Sequence, residues 1–196
     1  MGRYTGINHL AFATGDLEAT VRFWRDLLGM RLVYGYGQPG YRQYFFEASA
    51  TDLIAFFEWP AVAPLPRRTH GTPVNGPFAF DHVSIGVASE ETLWELVAKL
   101  TAADFPASDV IDHGFIRSVY SFDPNGIPIE FSWPAEDIDV RRRPVFADKA
   151  PLAAAGSEPR DGRWPPPEAI PKDERFVVRG AGWEHFLPLR TGRDET

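Results

Sequence analysis

An internal repeat of seventy-three residues constrains this chain more than any other feature. In Ile7-Asn8-His9-Leu10-Ala11-Phe12, Leu10 and Phe12 share one side of an alternating strand, and His9 and Ala11 share the other. Phe80-Asp81-His82-Val83-Ser84-Ile85-Gly86 repeats the pattern, with His82 seventy-three residues after His9 and Val83 and Ile85 in the places of Leu10 and Phe12. The cap residues repeat in the same register, because Ser89 follows Asp16 by the same seventy-three positions. Each is a side chain that satisfies the free amides of a helix start.

After Asp16, the apolar stripe Leu17, Val21, Trp24 and Leu28 predicts a helix that leaves through Gly29. Strands are expected near Arg31–Tyr36, Tyr41–Ala48 and Leu53–Trp59. After Ser89, Leu93, Leu96, Val97 and Leu100 predict a second helix over Glu90–Ala103. Strands near Ser108–Asp112, Ile116–Phe122 and Ile127–Trp133 follow, the last two joined by the tight Asp123-Pro124-Asn125-Gly126 turn. The fold class is therefore α+β. Two βαβββ modules, about 4–60 and 78–134, are expected to form a curved mixed sheet around a cleft within a domain spanning 1–134. Ala61–Pro77 is the connector. Residues 134–196 hold half of the chain's 18 prolines, and 135–196 read as a Pro-rich extended C-terminal arm. Its Trp164, Phe176, Val177, Val178, Trp183 and Phe186 give it apolar surface to lay on its own domain or on a partner subunit.

Charge and composition narrow the partners. A net charge of −7 supplies no positive field for nucleic acid or an anionic membrane, and no apolar run is long enough to span a bilayer. The absence of cysteine removes thiolate metal sites, disulfides and cysteine nucleophiles, and agrees with a reducing, cytoplasmic setting. Aromatic residues at 14% suggest a pocket or interface lined with rings.

Taken singly, a strand-end histidine reads as a residue that satisfies a nearby carbonyl, but a pair at the repeat spacing points to a shared ion. If the two sheets curve around one cleft, His9 and His82 face each other across it. Glu130, set in Pro128-Ile129-Glu130-Phe131, is an acid among apolar neighbours that a cation would stabilise. Two imidazoles and a carboxylate suit a divalent Fe, Zn, Ni, Mn or Co ion and leave coordination positions open. Glu58, which ends the first module, reads as the counterpart of Glu130 and as a further ligand or a catalytic base. His113 and Tyr120, seventeen and ten residues before Glu130, are candidate proton donors. Arg117 is expected to pair with a nearby acid, the Arg141-Arg142-Arg143 run to be solvated or locally paired, and His70 and His185 to be exposed.

These residues resemble the vicinal oxygen chelate superfamily, which groups glyoxalase I, extradiol dioxygenases, methylmalonyl-CoA epimerase and the bleomycin and fosfomycin resistance proteins. The resemblance covers about residues 4–134. It is carried by Ile7-Asn8-His9-Leu10, the helix end Phe23-Trp24-Arg25-Asp26-Leu27-Leu28-Gly29-Met30, Asp81-His82-Val83, and the run Tyr120–Phe131 with its Asp-Pro-Asn-Gly turn. It implies metal ligation by His9, His82 and Glu130, and it carries the fourth glyoxalase I ligand onto Glu58. It also makes His113 and Tyr120 similar to two proton-handling groups of extradiol dioxygenases. The implied activity is metal-dependent lyase or isomerase chemistry on a small oxygen-bearing substrate, in a homodimer. The alternatives are Fe(II) extradiol-type cleavage of a catechol, and a non-catalytic drug-binding protein that seats an aromatic ligand among Tyr41, Tyr44, Phe56 and Trp133.

Overall fold

In a computed structural model the described residues are 5–76, 80–135, 139–146, 150–159, 162, 164–175 and 177. Compact units span Met1–Val145 and Phe146–Thr196. The first contains both repeats. β1 (His9–Thr14) leads into α1 (Leu17–Val21), followed by β2 (Leu32–Gln38), β3 (Tyr41–Glu47) and β4 (Leu53–Glu58). The second repeat runs β5 (Val83–Gly86), α2 (Glu90–Ala102), β6 (Ile111–Asp112), β7 (Ile116–Phe122) and β8 (Pro128–Pro134). Each module makes one four-stranded mixed sheet, ordered β1-β4-β3-β2 and β5-β8-β7-β6. β1 pairs parallel to β4, and β5 parallel to β8.

Both helices start as the sequence requires. Asp16 accepts the Ala19 amide at 2.9 Å, and Ser89 accepts the Thr92 amide at 3.3 Å. The first helix then departs from the expected stripe. Leu28 N–H donates to the Phe23 carbonyl five residues back at 2.9 Å, and residues 22–27 form a widened π turn. One extra residue per turn swings Phe23 inward beside Trp24, so the buried set is Leu17, Thr20, Phe23 and Trp24, while Val21 and Leu28 are only partly covered. Gly29 follows at φ +81, the left-handed exit that its type allows.

The helix-covered sides of both sheets feed one hydrophobic cluster that includes Trp24, Phe46, Ile54, Phe56, Leu93, Leu100, Val119, Ile129 and Phe131. Burying each such side chain contributes roughly 1.5–3 kcal/mol. The Asp123–Gly126 turn locks the modules together. Thr14 Oγ1 donates to Asn125 Oδ1 at 2.6 Å, Asn125 Nδ2 donates to Thr20 at 3.1 Å, and Trp24 Nε1 donates to Asp123 Oδ2 at 3.2 Å. Phe23 also meets Phe105, with ring centroids 4.6 Å apart. Burial pushes the Asp123 carboxyl up, against hydrogen bonds from Asn125, Ile127 and Trp24 that favour the ionised form.

Within the second unit, Pro151–Ala154 forms a helical turn, Lys172–Glu174 forms a 3-10 turn, and Trp164 is 87% exposed. Phe176, Val178, Trp183, Phe186 and His185 lie outside the described residues. No helix among the described residues is long and apolar enough to cross a membrane.

Candidate metal centre

Strand register decides which side chains share the open face of each sheet, because cross-strand partners point the same way and a shift of one residue reverses them. On the second sheet Ser84 pairs with Glu130, and Glu130 with Tyr120. These three face away from the apolar cluster, together with Ser118 and Ser132. His82 stands just before β5 and reaches the same place, with its Nε2 3.0 Å from Glu130 Oε2.

The second-module residues are held from behind. His82 Nδ1 lies 2.7 Å from Asp81 Oδ1, and Asp81 also accepts from Arg68 at 3.1 Å and from the Gly71 amide at 3.2 Å. The hydrogen bond from His82, with help from Gly71 and Arg68, holds the Asp81 carboxyl at about 2. An ionised Asp81 fixes the proton of His82 on Nδ1 and leaves the Nε2 lone pair aimed at Glu130, the second-shell device common to metal-binding histidines. Glu130 Oε1 accepts from Ser118 and from the Tyr120 hydroxyl at 3.0 Å. Burial pushes the Glu130 carboxyl up, but hydrogen bonds from Ser118, Ser84 and Tyr120 outweigh burial and keep it ionised below its ordinary range.

Tyr120 links the carboxylate to His113, whose Nε2 is 2.9 Å from the hydroxyl. The hydroxyl has one proton, and it goes to Glu130, so His113 Nε2 must carry its own proton and donate to the Tyr120 oxygen. Burial and the Glu130 charge push the Tyr120 phenol up to about 12, so Tyr120 stays a neutral donor. Arg117 takes the expected structural part, donating to Glu90 at 2.6 Å and to Asp112 at 3.2 Å.

The first module repeats part of this arrangement. His9 Nδ1 lies 2.8 Å from Asn8 Oδ1, as His82 does from the residue before it. His9 is on the open face of its sheet, edge-on to Phe45 at 5.6 Å. Phe45 pairs with Ala55 and Tyr34, and Gln43 with Phe57 and Tyr36, so Tyr34, Tyr36, Phe45 and Phe57 line the His9 face with rings. His9 is not part of a donor cluster with His82 and Glu130 inside one chain. Among the described residues, the group of three whose donor atoms lie within 4.8 Å of one another is His70, Asp81 and His82.

Three expectations are corrected. Glu58 is not the counterpart of Glu130: Ala11, two residues after His9, pairs with Ala55, whereas Ser84, two after His82, pairs with Glu130. Glu58 pairs instead with Thr14 on the helix-covered side, where it accepts from Arg42 Nε at 2.7 Å and from the Gly40 amide at 3.0 Å. The Arg42 guanidinium holds its carboxyl below the usual range. His70 is not exposed; both its ring nitrogens are inaccessible to solvent and without a hydrogen-bond partner. Tyr41, Tyr44, Phe56 and Trp133 do not form one ligand seat, because Phe56 is fully buried in the apolar cluster and Tyr44 and Trp133 pack against it.

The residues present fit a divalent ion: an imidazole nitrogen and an ionised carboxylate converge on the open face, each fixed from behind by its own hydrogen bonds. Beside them, Arg67, Arg68, His70, Tyr120 and Phe122 border an open cavity of about 460 Å³.

Comparison with known proteins agrees with this architecture. The chain is 27% identical over 131 residues to a lactoylglutathione lyase of Haemophilus influenzae, covering 64% of this chain and 90% of that one. A glyoxylase/bleomycin resistance protein/dioxygenase domain from Frankia sp. EAN1pec superposes with a TM-score of 0.56 at 16% identity, covering 67% of this chain and 99% of that one. A glyoxalase/dioxygenase from Nostoc punctiforme does so with a TM-score of 0.52 at 17% identity, covering 67% and 92%. The model of the Glyoxalase/Bleomycin resistance protein/Dioxygenase superfamily matches residues 6–131, and the chain belongs to that superfamily.

Proposed function

We propose that this protein is a divalent-metal enzyme acting on a small substrate with two vicinal oxygens, and that its chemistry is extradiol-type dioxygenation of a catecholic compound. The observation that carries the reading is the convergence of His82 Nε2 and Glu130 Oε2 at 3.0 Å, with Glu130 tied through Tyr120 to His113. His9 completes the donor set from a second copy of the chain, since within one chain it is not clustered with the other two. With Ala55 where a fourth ligand would come from, the set is two imidazoles and one carboxylate. An ion so held leaves open positions for both substrate oxygens and, if it is redox-active, for dioxygen.

The chain's own groups then divide the work. Asp81 and Asn8 orient the two imidazoles. Tyr120, kept neutral, donates to the carboxylate or to a substrate oxygen that takes its place. His113, with its proton on Nε2, donates to the Tyr120 oxygen and so holds the phenol's own proton towards Glu130 or the substrate oxygen. The rings around His9 offer an apolar wall against an aromatic substrate and exclude water from it.

A second reading, lyase or isomerase chemistry, is favoured by the similarity to a lactoylglutathione lyase. The two are separated by supplying Fe(II)-loaded protein with catechols in an oxygen electrode, and with hemithioacetals under nitrogen. The dioxygenase reading expects oxygen uptake equal to substrate consumed. Turnover of the hemithioacetal without oxygen uptake on any catechol overturns it in favour of the second.

A further inference from the structure

We infer that His70, Asp81 and His82 form a divalent-cation site carried by one chain alone, distinct in its donors from the centre shared between copies. The inference rests on the proposed function only in that both positions use His82. Three donor atoms from these residues lie within 4.8 Å of one another. That spacing lets one ion with bonds of about 2.0–2.2 Å touch all three after small side-chain shifts.

Two further observations support the site. Both nitrogens of the His70 ring are shut off from solvent with no hydrogen-bond partner, although its ring lies 5.9 Å from that of His82, 4.7 Å from Tyr120 and 5.0 Å from Phe122. Burial disfavours a charged His70 ring and the nearby Ser121 backbone favours it, but no contact to either ring nitrogen meets full hydrogen-bond geometry. Ring nitrogens shut off from water in this way call for a polar partner, and a bound ion supplies one. The second observation is that Asp81 also accepts from Arg68 at Oδ2 and from the Gly71 amide at Oδ1, so its position does not depend on the ion.

Two imidazoles and a carboxylate select Zn(II), Co(II), Ni(II) or Fe(II) over Mg(II) and Ca(II). His82 belongs to both donor sets, so the two sites are alternatives and each chain takes up one ion. The site lets a single chain capture an ion before the second copy contributes His9.

The test uses Co(II) titration of the full chain, followed by calorimetry and by the visible d–d spectrum. His9→Ala disables the shared centre and is expected to retain one ion per chain. His9→Ala/His70→Phe keeps ring packing against Tyr120 and Phe122 and is expected to lose it. In the single His70→Phe variant the shared centre still loads. Retention of one ion by the double variant, with a spectrum unchanged from His9→Ala, overturns the His70 site. Loss of all uptake in His9→Ala also overturns it, while leaving the shared centre standing. If His82→Ala still binds one ion, this site and the proposed centre both fall.

Discussion

Asn125→Asp isolates the polar lock between the modules with almost no change in shape. Asn125 Nδ2 donates to Asp123 Oδ2 at 2.9 Å and to Thr20 at 3.1 Å, in a site where Asp123 is fully buried. The substitution turns that donor into an acid facing an acid at the same separation. Two buried carboxylates so close cannot both ionise, and the cheaper state holds one protonated. The pair's upper pKa in the folded protein then rises above the unfolded value of about 3.9. The extra instability is absent below about pH 4, where the acids are protonated in both states, and it grows by about 1.4 kcal/mol per pH unit above that. By pH 7 it amounts to roughly 4 kcal/mol, a large part of the roughly 5–15 kcal/mol available to a domain. Urea unfolding at pH 5 and pH 8, beside Asn125→Ala, reads it. Asn125→Ala removes three hydrogen bonds of about 1 kcal/mol each, one of them a donor that favours ionised Asp123, so its loss also grows with pH but stays smaller than that of Asn125→Asp at pH 8. A loss below about 1 kcal/mol for Asn125→Asp at pH 8, or one equal at the two pH values, refutes the reasoning.

Glu58→Gln should leave metal uptake unchanged, measured by elemental analysis, because Glu58 faces Arg42 on the helix-covered side. The same pair sets a pH response: Arg42 depresses the folded pKa of Glu58 from 4.5, so its contribution is present above that value and is lost as the pH falls through the depressed one. Comparing wild type and Glu58→Gln in unfolding titrations between pH 3 and 6 should show the gap closing towards acid. Tyr120→Phe should keep metal bound while lowering turnover on the true substrate roughly 10²–10⁴-fold, with a displaced pH profile as His113 loses its hydrogen-bond partner. Gly126→Ala should destabilise the fold by about 2 kcal/mol or more in chemical denaturation, because the new Cβ would lie 2.1 Å from the Leu65 carbonyl oxygen at a φ of +73.

The repeat was legible because strand alternation, helix caps and the glycine exit are local signals that recur at one spacing. Of the candidate site residues only His82 follows from it; Glu130, Tyr120 and His113 were reached from their spacing along the strands of the second module. The side occupied by Glu58 was legible as well: seventy-three residues before Glu130 is position 57, not 58, and one residue reverses the face. Parity within the repeat is the signal, since Leu53, Ala55 and Phe57 are as apolar as Ile54 and Phe56 and do not tell the faces apart. The inward swing of Phe23 comes from a widened turn that a regular helical period does not encode. His70 had no local signal, because the Pro- and Gly-rich connector has no period and its burial is set by residues from β7 and the Asp81–His82 corner.

The Asn125 lock also bears on how such a duplicated chain can be cut or rearranged. Cleaving the peptide between β4 and β5 would strip each half of the hydrogen bonds that cross between modules, from Thr14 and Trp24 to Asn125 and Asp123 and from Asn125 to Thr20. The halves have become obligate complements, so co-expressed fragments should find each other, and either fragment alone should be recovered only as a poorly folded species.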